Sequence, residues 1–402
     1  MKIGGVIAEF NPFHNGHAAL CDGARAGGVT HLIAVMSGNF VQRGDLAITD
    51  KRVRAACALA CGVDLVIELP LPWAMSGAQV FARGGVGLLA ACGCVEVLTF
   101  GSESGQLESL QALAAEIGSP GVEDRLRELL PLGLTYAKAR ELAARDVLGD
   151  ELAGRLSSPN DLLGIEYLRA AQAADWNPEI SLIKRLGVAH DGGQPKGGYA
   201  SASYLRSVSG DGLAALEEYI PAACSELLRK AESQGLYPAD KSVLENAILA
   251  HLRRQSREAL ALLPDLSEGL ENRLYSAIRT ATTTSELAWA IKTKRYTMAR
   301  VRRLIFSAFL GITKTDSAGV PPYLRVIGLN ERGDEILARM KNTASLPMSS
   351  SLARLSGFSR RAWEVAALEE RSTDLYGLAL PATLPCGYEK TARLAAPRRR
   401  AK

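Results

Sequence analysis

The sequence predicts an α/β fold, a parallel sheet with helices on both faces, followed by a mostly helical C-terminal domain. Three observations lead there. Short aliphatic runs alternate with helical patterns from residue 3 to about residue 100. The joints between them are short and rich in glycine and proline, as in sheets built from strand–helix–strand units. From about residue 212 the alternation stops and helical spacing takes over. The division is placed at 1–212 and 213–402.

The elements follow in order. Ile3–Ala8 is a strand rich in aliphatics, with none of the polar alternation of a half-exposed strand. Asn15–Ala26 reads as a helix, His31–Met36 as the second strand and Lys51–Cys61 as a helix. Asp64–Glu68 is the third strand, Gly77–Cys92 a helix and Glu96–Phe100 the fourth strand. Residues 105 to 155 carry Leu and Ala at helical spacing. Ser158-Pro-Asn-Asp161 reads as a turn into a helix over Leu162–Ala174. Glu179–Lys184 is the fifth strand, a glycine-rich loop runs from Gly187 to Gly198, and Ser201–Arg206 opens another helix. One strand-like run, Tyr323–Leu329, interrupts the helical remainder.

Composition narrows the function classes. The 402 residues are 47% hydrophobic and 22% charged, enough for ordinary globular cores. No apolar run approaches the roughly 18 residues of a membrane span, and the N-terminus lacks the basic and small-residue marks of a leader. A cytoplasmic protein with no membrane partner is expected. Seven cysteines, with close pairs only at Cys57/Cys61 and Cys92/Cys94, lie mostly in apolar stretches and pair with no histidine at zinc-site spacing. They are expected to be reduced core residues, with no protein-held metal. Net charge is only +4, but Lys292, Lys294, Arg295, Arg300, Arg302 and Arg303 form a run without an acid. Lys390, Arg393, Arg398, Arg399, Arg400 and Lys402 form a second. Such runs suit a polyanion or a solvated face.

The chemistry concentrates where strands end. In parallel sheets ligands sit beyond the carboxyl ends of the strands, at the point where strand order reverses. Glu9–His17, Ser37–Gly44 and Gly101–Glu103 occupy such exits. His14-Asn15-Gly16-His17 follows the first strand and opens a helix. A helix N-terminus favours an anion, and glycine lets backbone come close. Two imidazole donors there fit the spread of negative charge in phosphoryl or nucleotidyl transfer. The plain alternative, two solvated surface histidines, fits poorly in a chain with five histidines in all. Ser201, Ser203 and Arg206 offer a second, weaker phosphate cradle, or merely a helix cap and a surface arginine. No G-x-x-x-x-G-K-[ST] string is present, which disfavours a P-loop enzyme. Tyr296 among the bases of the Lys292–Arg303 run fits phosphate contacts with base stacking.

These signatures resemble the nucleotidyltransferase superfamily, marked by H-x-G-H and a later Ser/Thr-rich segment ending in Ile-Arg. Here that segment ends in Leu205-Arg206, with Ala202 at one small-residue position. More closely, the chain is similar to the tRNA(Met) cytidine acetate ligase family. The matching strings are Gly5 to His17, Met36 to Gly44, Gly101-Ser-Glu103, Ser158 to Asp161, Ile183-Lys-Arg185 and Lys294-Arg-Tyr-Thr297. Asp45 stands where the family often has proline.

The resemblance implies a Rossmann-like nucleotidyltransferase sheet and a two-step reaction. Acetate and ATP give acetyl-adenylate, and the acetyl group then passes to the wobble cytidine of elongator tRNA(Met). It implies ATP contacts from Ile7, Ala8, Glu9, Phe10, Asn11, Pro12, Phe13, His14, Asn15, Gly16, His17, Ala18, Ala19 and Leu20, and from Gly101, Asn160 and Arg185. His14 and His17 are the expected catalytic pair. The expected tRNA contacts are Lys294, Arg295, Tyr296, Arg300, Arg302 and Arg303, with Mg2+ accompanying ATP and no obligate protein partner. Gln42, Arg43 and Lys184 are further phosphate candidates. Two rivals stand beside this reading: a cofactor-forming adenylyltransferase acting on a phosphorylated metabolite, and a non-catalytic RNA-binding protein.

Overall fold

The computed structural model describes residues 1–185, 195–266 and 269–396. Its strands are β1 (Ile3–Ala8), β2 (His31–Ser37), β3 (Phe40–Val41), β4 (Asp45–Leu46), β5 (Leu65–Leu69), β6 (Val97–Ser102), β7 (Glu179–Lys184), β8 (Leu324–Leu329) and β9 (Met348–Ser349). Seven of them form one sheet in the order β7-β6-β1-β2-β5-β8-β9. β7, β6, β1, β2 and β5 are parallel, so the order reverses beside β1 and β6. The Tyr323–Leu329 run is indeed a strand, and it joins this sheet. β8 pairs antiparallel with β5, and β9 follows it.

The sheet has two buried faces because its strands carry aliphatics on both. Ile3, Ile7, Ile33, Val35 and Ile67 pack against Val86 and Leu89 of the helix Ala78–Ala91. Val6, Ala8, Leu32, Ala34 and Met36 pack against Cys21 and Ala24 of Asn15–Ala26 and Ala55 and Ala58 of Lys51–Ala60. A third core, around Leu274, Ile278, Leu304 and Ile305, fills the C-terminal helices. Phe40 and Leu46 belong to it, so the small β3–β4 hairpin is anchored in the C-terminal half. Sequence patterning missed this hairpin because each strand is only two residues long. Gly44 (φ +69°) makes its turn possible, and a Cβ there would run into the backbone at Arg302 and Arg303.

All seven cysteines are free. Cys386 is exposed, against the expectation of a core residue, because it lies past the last long helix. The basic tail from Arg398 and most of the glycine-rich loop lie outside the described residues.

A buried charge cluster joins the two halves. Glu68 on β5 and Arg325 on β8 are register partners, with Arg325 Nη1 donating to Glu68 Oε2 at 2.7 Å. Lys51 Nζ meets Glu68, lies 2.9 Å from Glu389 Oε1 and 3.6 Å from Glu369 Oε2. Arg52 and Arg325 also reach Glu389, and Thr373 Oγ1 donates to it at 2.6 Å. Burial opposes ionisation of Glu389, but Lys51, Arg325 and Arg52 hold its carboxyl below the usual range. Removing one member strands the others as uncompensated buried charge. Lys51→Met is therefore expected to lower the free energy of unfolding by about 3–5 kcal/mol. Urea denaturation checks this, and a loss under about 1 kcal/mol would show that the cluster does not hold the halves together.

Candidate active site

The cleft begins with the turn after β1. Phe10 takes a left-handed conformation (φ +48°), which sends its ring into the core against Phe13 and His17, 4.9 and 5.0 Å away between centroids. Arg54, fully buried, ties the neighbouring strand exits together. It donates to the carbonyl oxygens of Glu9 (2.6 Å), Ser37 (3.1 Å), Thr49 (3.3 Å) and Gly38.

His14 caps the helix Asn15–Ala26. Its Nδ1 accepts from the Gly16 amide at 3.1 Å, and the His14 amide donates to His17 Nδ1 at 3.3 Å. A Cβ on Gly16 would come within 2.9 Å of His14 Cε1, so the glycine makes room for the imidazole ring. The two rings stack at 3.7 Å and 22°. Since each Nδ1 accepts, each Nε2 carries the proton and acts as a donor. Burial, then Arg185 and Arg206, lower the His14 pKa to about 3. Burial, then His14 and Arg185, hold His17 well below the usual imidazole range. The pair is thus neutral and donates two N–H groups.

Arginines supply the positive charge. Arg185, at the end of β7, donates to Asn160 Oδ1 at 3.3 Å. Asn160 Nδ2 donates to Glu103, whose other oxygen accepts the Asp161 amide at 3.0 Å. Asp161 in turn accepts from Ser102 Oγ and from the Glu103 amide at 3.0 Å. Glu103 and Asp161 therefore orient Asn160 and Arg185; both lie in strings singled out from the sequence, but nothing there marks them as partners. On the other side, Arg206 Nη1 donates to the Asn11 carbonyl at 3.0 Å.

These groups border one cleft of about 420 Å³. Its walls include Ile7, Ala8, Glu9, Phe10, Asn11, His14, Gly16, His17, Ala19, Leu20, Gly101, Asn160, Arg185, Ser201 and Arg206, with Gln42, Arg43 and Lys184. Phe81, Phe100 and Tyr167 add an aromatic wall that sequence patterning could not separate from helix and strand core. Pro12, Phe13, Asn15, Ala18 and Ser203 do not line it. Phe13 is core, and Asn15 Nδ2 instead binds the carbonyls of Gly198 (2.9 Å) and Glu218 (3.1 Å). Ser201 Oγ caps its own helix through the Tyr204 amide at 3.1 Å.

The basic run divides. Arg303 and Ala299, on the helix Met298–Leu310, line the main cleft, and Arg303 Nη1 donates to the Gln42 carbonyl at 3.2 Å. Lys294, Arg295 and Tyr296 line a separate shallow notch with Gly269, Leu270, Arg273 and Thr293. Arg300 stacks over Tyr296 at 5.1 Å and donates to the Asp265 carbonyl at 2.9 Å. Arg302 lines neither cavity.

A parallel sheet that reverses beside β1, with stacked H-x-G-H imidazoles over its exit, defines a nucleotidyltransferase. The HIGH Nucleotidyl Transferase family model matches residues 1–389. Among curated relatives, tRNA(Met) cytidine acetate ligase of Thermoanaerobacter sp. (strain X514) is 38% identical over 388 residues, 94% of this chain and 96% of that protein. The protein of that name from Acetivibrio thermocellus is 35% identical over 414 residues, 97% and 99% of the two chains. The crystal structure of Thermotoga maritima TmcAL bound with alpha-thio ATP superimposes with a TM-score of 0.91 at 30% identity, covering 98% of this chain and 99% of that one. The chain belongs to the tRNA(Met) cytidine acetate ligase family.

The buried neutral histidines make a pH prediction. In the unfolded chain a histidine takes up a proton below about pH 6.5, whereas His14 stays neutral down to about 3. Between these values the unfolded state binds more protons, so stability falls as pH falls. His14→Gln is expected to reduce the slope of stability against pH between 4 and 6 by up to about 1.4 kcal/mol per pH unit. Urea midpoints across that range check it; an unchanged slope would mean that His14 is protonated in the fold.

Proposed function

We propose that the cleft activates acetate with ATP and transfers the acetyl group to the N4 amine of the wobble cytidine of elongator tRNA(Met), giving N4-acetylcytidine. One observation carries this reading: two neutral imidazole donors share a cleft with Arg185 and Arg206, and the basic C-terminal helix also reaches that cleft. In the first step an acetate oxygen attacks the α-phosphorus, and pyrophosphate leaves with the electron pair of the broken P–O bond. His14 and His17 donate from Nε2 to the phosphate oxygens as charge builds there. Arg185 and Arg206 offset the triphosphate charge. At Gly101 a Cβ would stand 3.3 Å from Arg185 Cγ, so the glycine lets the Arg185 side chain pack close beside Asn160.

Mg2+ is taken to arrive with ATP. Among the described residues no group of three or more His, Cys, Asp or Glu forms a metal site. Mg2+ bound to ATP is commonly held by phosphate oxygens and water.

The division of labour is proposed along the same lines: residues 1–212 for the nucleotide, residues 213–402 for tRNA. Lys294, Arg295, Tyr296, Arg300 and Arg302 are assigned to tRNA, and Arg303 to the junction, because it lines the cleft. A tRNA substrate places the work in the cytoplasm. No helix among the described residues is long and apolar enough to cross a membrane.

Incubating tRNA with protein, MgATP and labelled acetate is expected to give labelled N4-acetylcytidine, with pyrophosphate release that depends on acetate. Release that needs a phosphorylated metabolite instead of acetate would identify a cofactor-forming adenylyltransferase. The tRNA assignment has its own test. Lys294→Ala/Arg302→Ala removes two cations outside the main cleft, so the slope of log affinity for tRNA against log salt should flatten by roughly 1.4 to 1.8. Acetate-dependent ATP–pyrophosphate exchange is expected to persist. An unchanged salt slope would make these residues a solvated face.

A further inference from the structure

Acyl transfer to cytosine needs a place for a proton. The N4 lone pair is delocalised into the ring, so this nitrogen becomes an effective nucleophile only as its proton departs. The two histidines are poor acceptors, since burial and the flanking arginines keep them neutral with a low affinity for protons. The other charged groups on the walls are Arg43, Lys184, Arg185, Arg206 and Arg303. Glu9 is the sole acid among the described residues lining the cleft.

We propose that Glu9 is the general base of the acyl-transfer step, an assignment that rests on the acetate-ligase reading above. Its backbone is fixed by Arg54, which donates to the Glu9 carbonyl at 2.6 Å. Its carboxylate is oriented by the Gln42 amide, which donates to Oε1 at 2.8 Å. Gln42 is also the residue whose carbonyl accepts from Arg303, so Glu9 stands on the side of the cleft where the basic helix arrives. Glu9 lines the same cleft as Tyr167 and Arg206. A carboxylate there repels the triphosphate, so it does not hold the phosphates of ATP. It suits an incoming amine that must lose a proton.

The step balances. The N4 lone pair attacks the acetyl carbonyl carbon while Glu9 accepts the N4 proton. The tetrahedral species collapses, the bond from carbon to the phosphate oxygen breaks, and AMP leaves with that electron pair. Glu9 then releases the proton to solvent. Acetyl-adenylate and cytidine have become N4-acetylcytidine, AMP and a proton.

Glu9→Gln separates base chemistry from architecture, because the amide oxygen still accepts from Gln42. Two rates are compared in the full-length protein: acetate-dependent ATP–pyrophosphate exchange, and single-turnover transfer of labelled acetyl from bound adenylate to tRNA. Transfer is expected to fall about 100-fold or more relative to exchange, while Glu9→Asp recovers part of the loss. The exchange rate of the variant reports on its fold and its ATP handling, and transfer is judged relative to it. Transfer to hydroxylamine, a free amine that needs no base, should follow exchange. Equal losses in exchange and transfer would assign Glu9 to ATP or Mg2+ and overturn the proposal, as would transfer at the wild-type rate. Exchange in the wild-type protein that ignores acetate would overturn the acetate-ligase reading instead.

Discussion

Five parallel strands end on one edge, and the rest of the active region hangs from that edge. Each exit turn must leave the sheet in nearly the same place, so residues far apart in sequence converge without long loops. The β1 exit supplies Glu9 to His17, the β6 exit supplies Gly101 and Glu103, and the β7 exit supplies Arg185. Because strand order reverses between β1 and β6, the helices after them diverge and leave a gap. The stacked imidazoles sit at that gap, at the N-terminus of a helix whose dipole favours an anion.

The electrostatics of the gap follow from burial. A buried imidazole between two arginines is costly to protonate, so His14 and His17 act as neutral donors. Positive charge is left to Lys184 and to guanidinium groups, and the guanidiniums do not lose theirs near neutral pH. A site of this kind attracts phosphates without a titrating component. Glu9 stands apart as the one wall residue of opposite sign among the described residues.

The second half of the chain does more than add a neighbouring body. Its strand β8 completes the sheet beside β5, and Lys51, Arg52 and Arg325 face Glu68, Glu369 and Glu389 across that seam. The same half anchors the β3–β4 hairpin through Phe40 and Phe306, whose rings lie 5.7 Å apart. The helix Met298–Leu310 thereby forms part of the cleft wall. The packing runs across the proposed division at residue 212.

By itself the sequence determined the parallel core and the position of the H-x-G-H turn. Aliphatic runs such as Ile3–Ala8 and Glu179–Lys184 encode local periodicity, and local periodicity is what a linear reading detects. It also marked His14, His17, Gly101, Asn160 and Arg185, since each belongs to a short contiguous string. Tertiary structure alone decided what depends on distant partners. Asn160 and Arg185 are oriented by Glu103, on a different strand exit. Phe81 and Tyr167 look like any core aromatic until the sheet turns them toward the cleft. Arg303 reads as one base in a run, yet packing sends it to the cleft while Lys294 and Arg295 face a separate notch. Side-chain direction within a charged helix follows from what the helix packs against, and no periodicity in the chain records that.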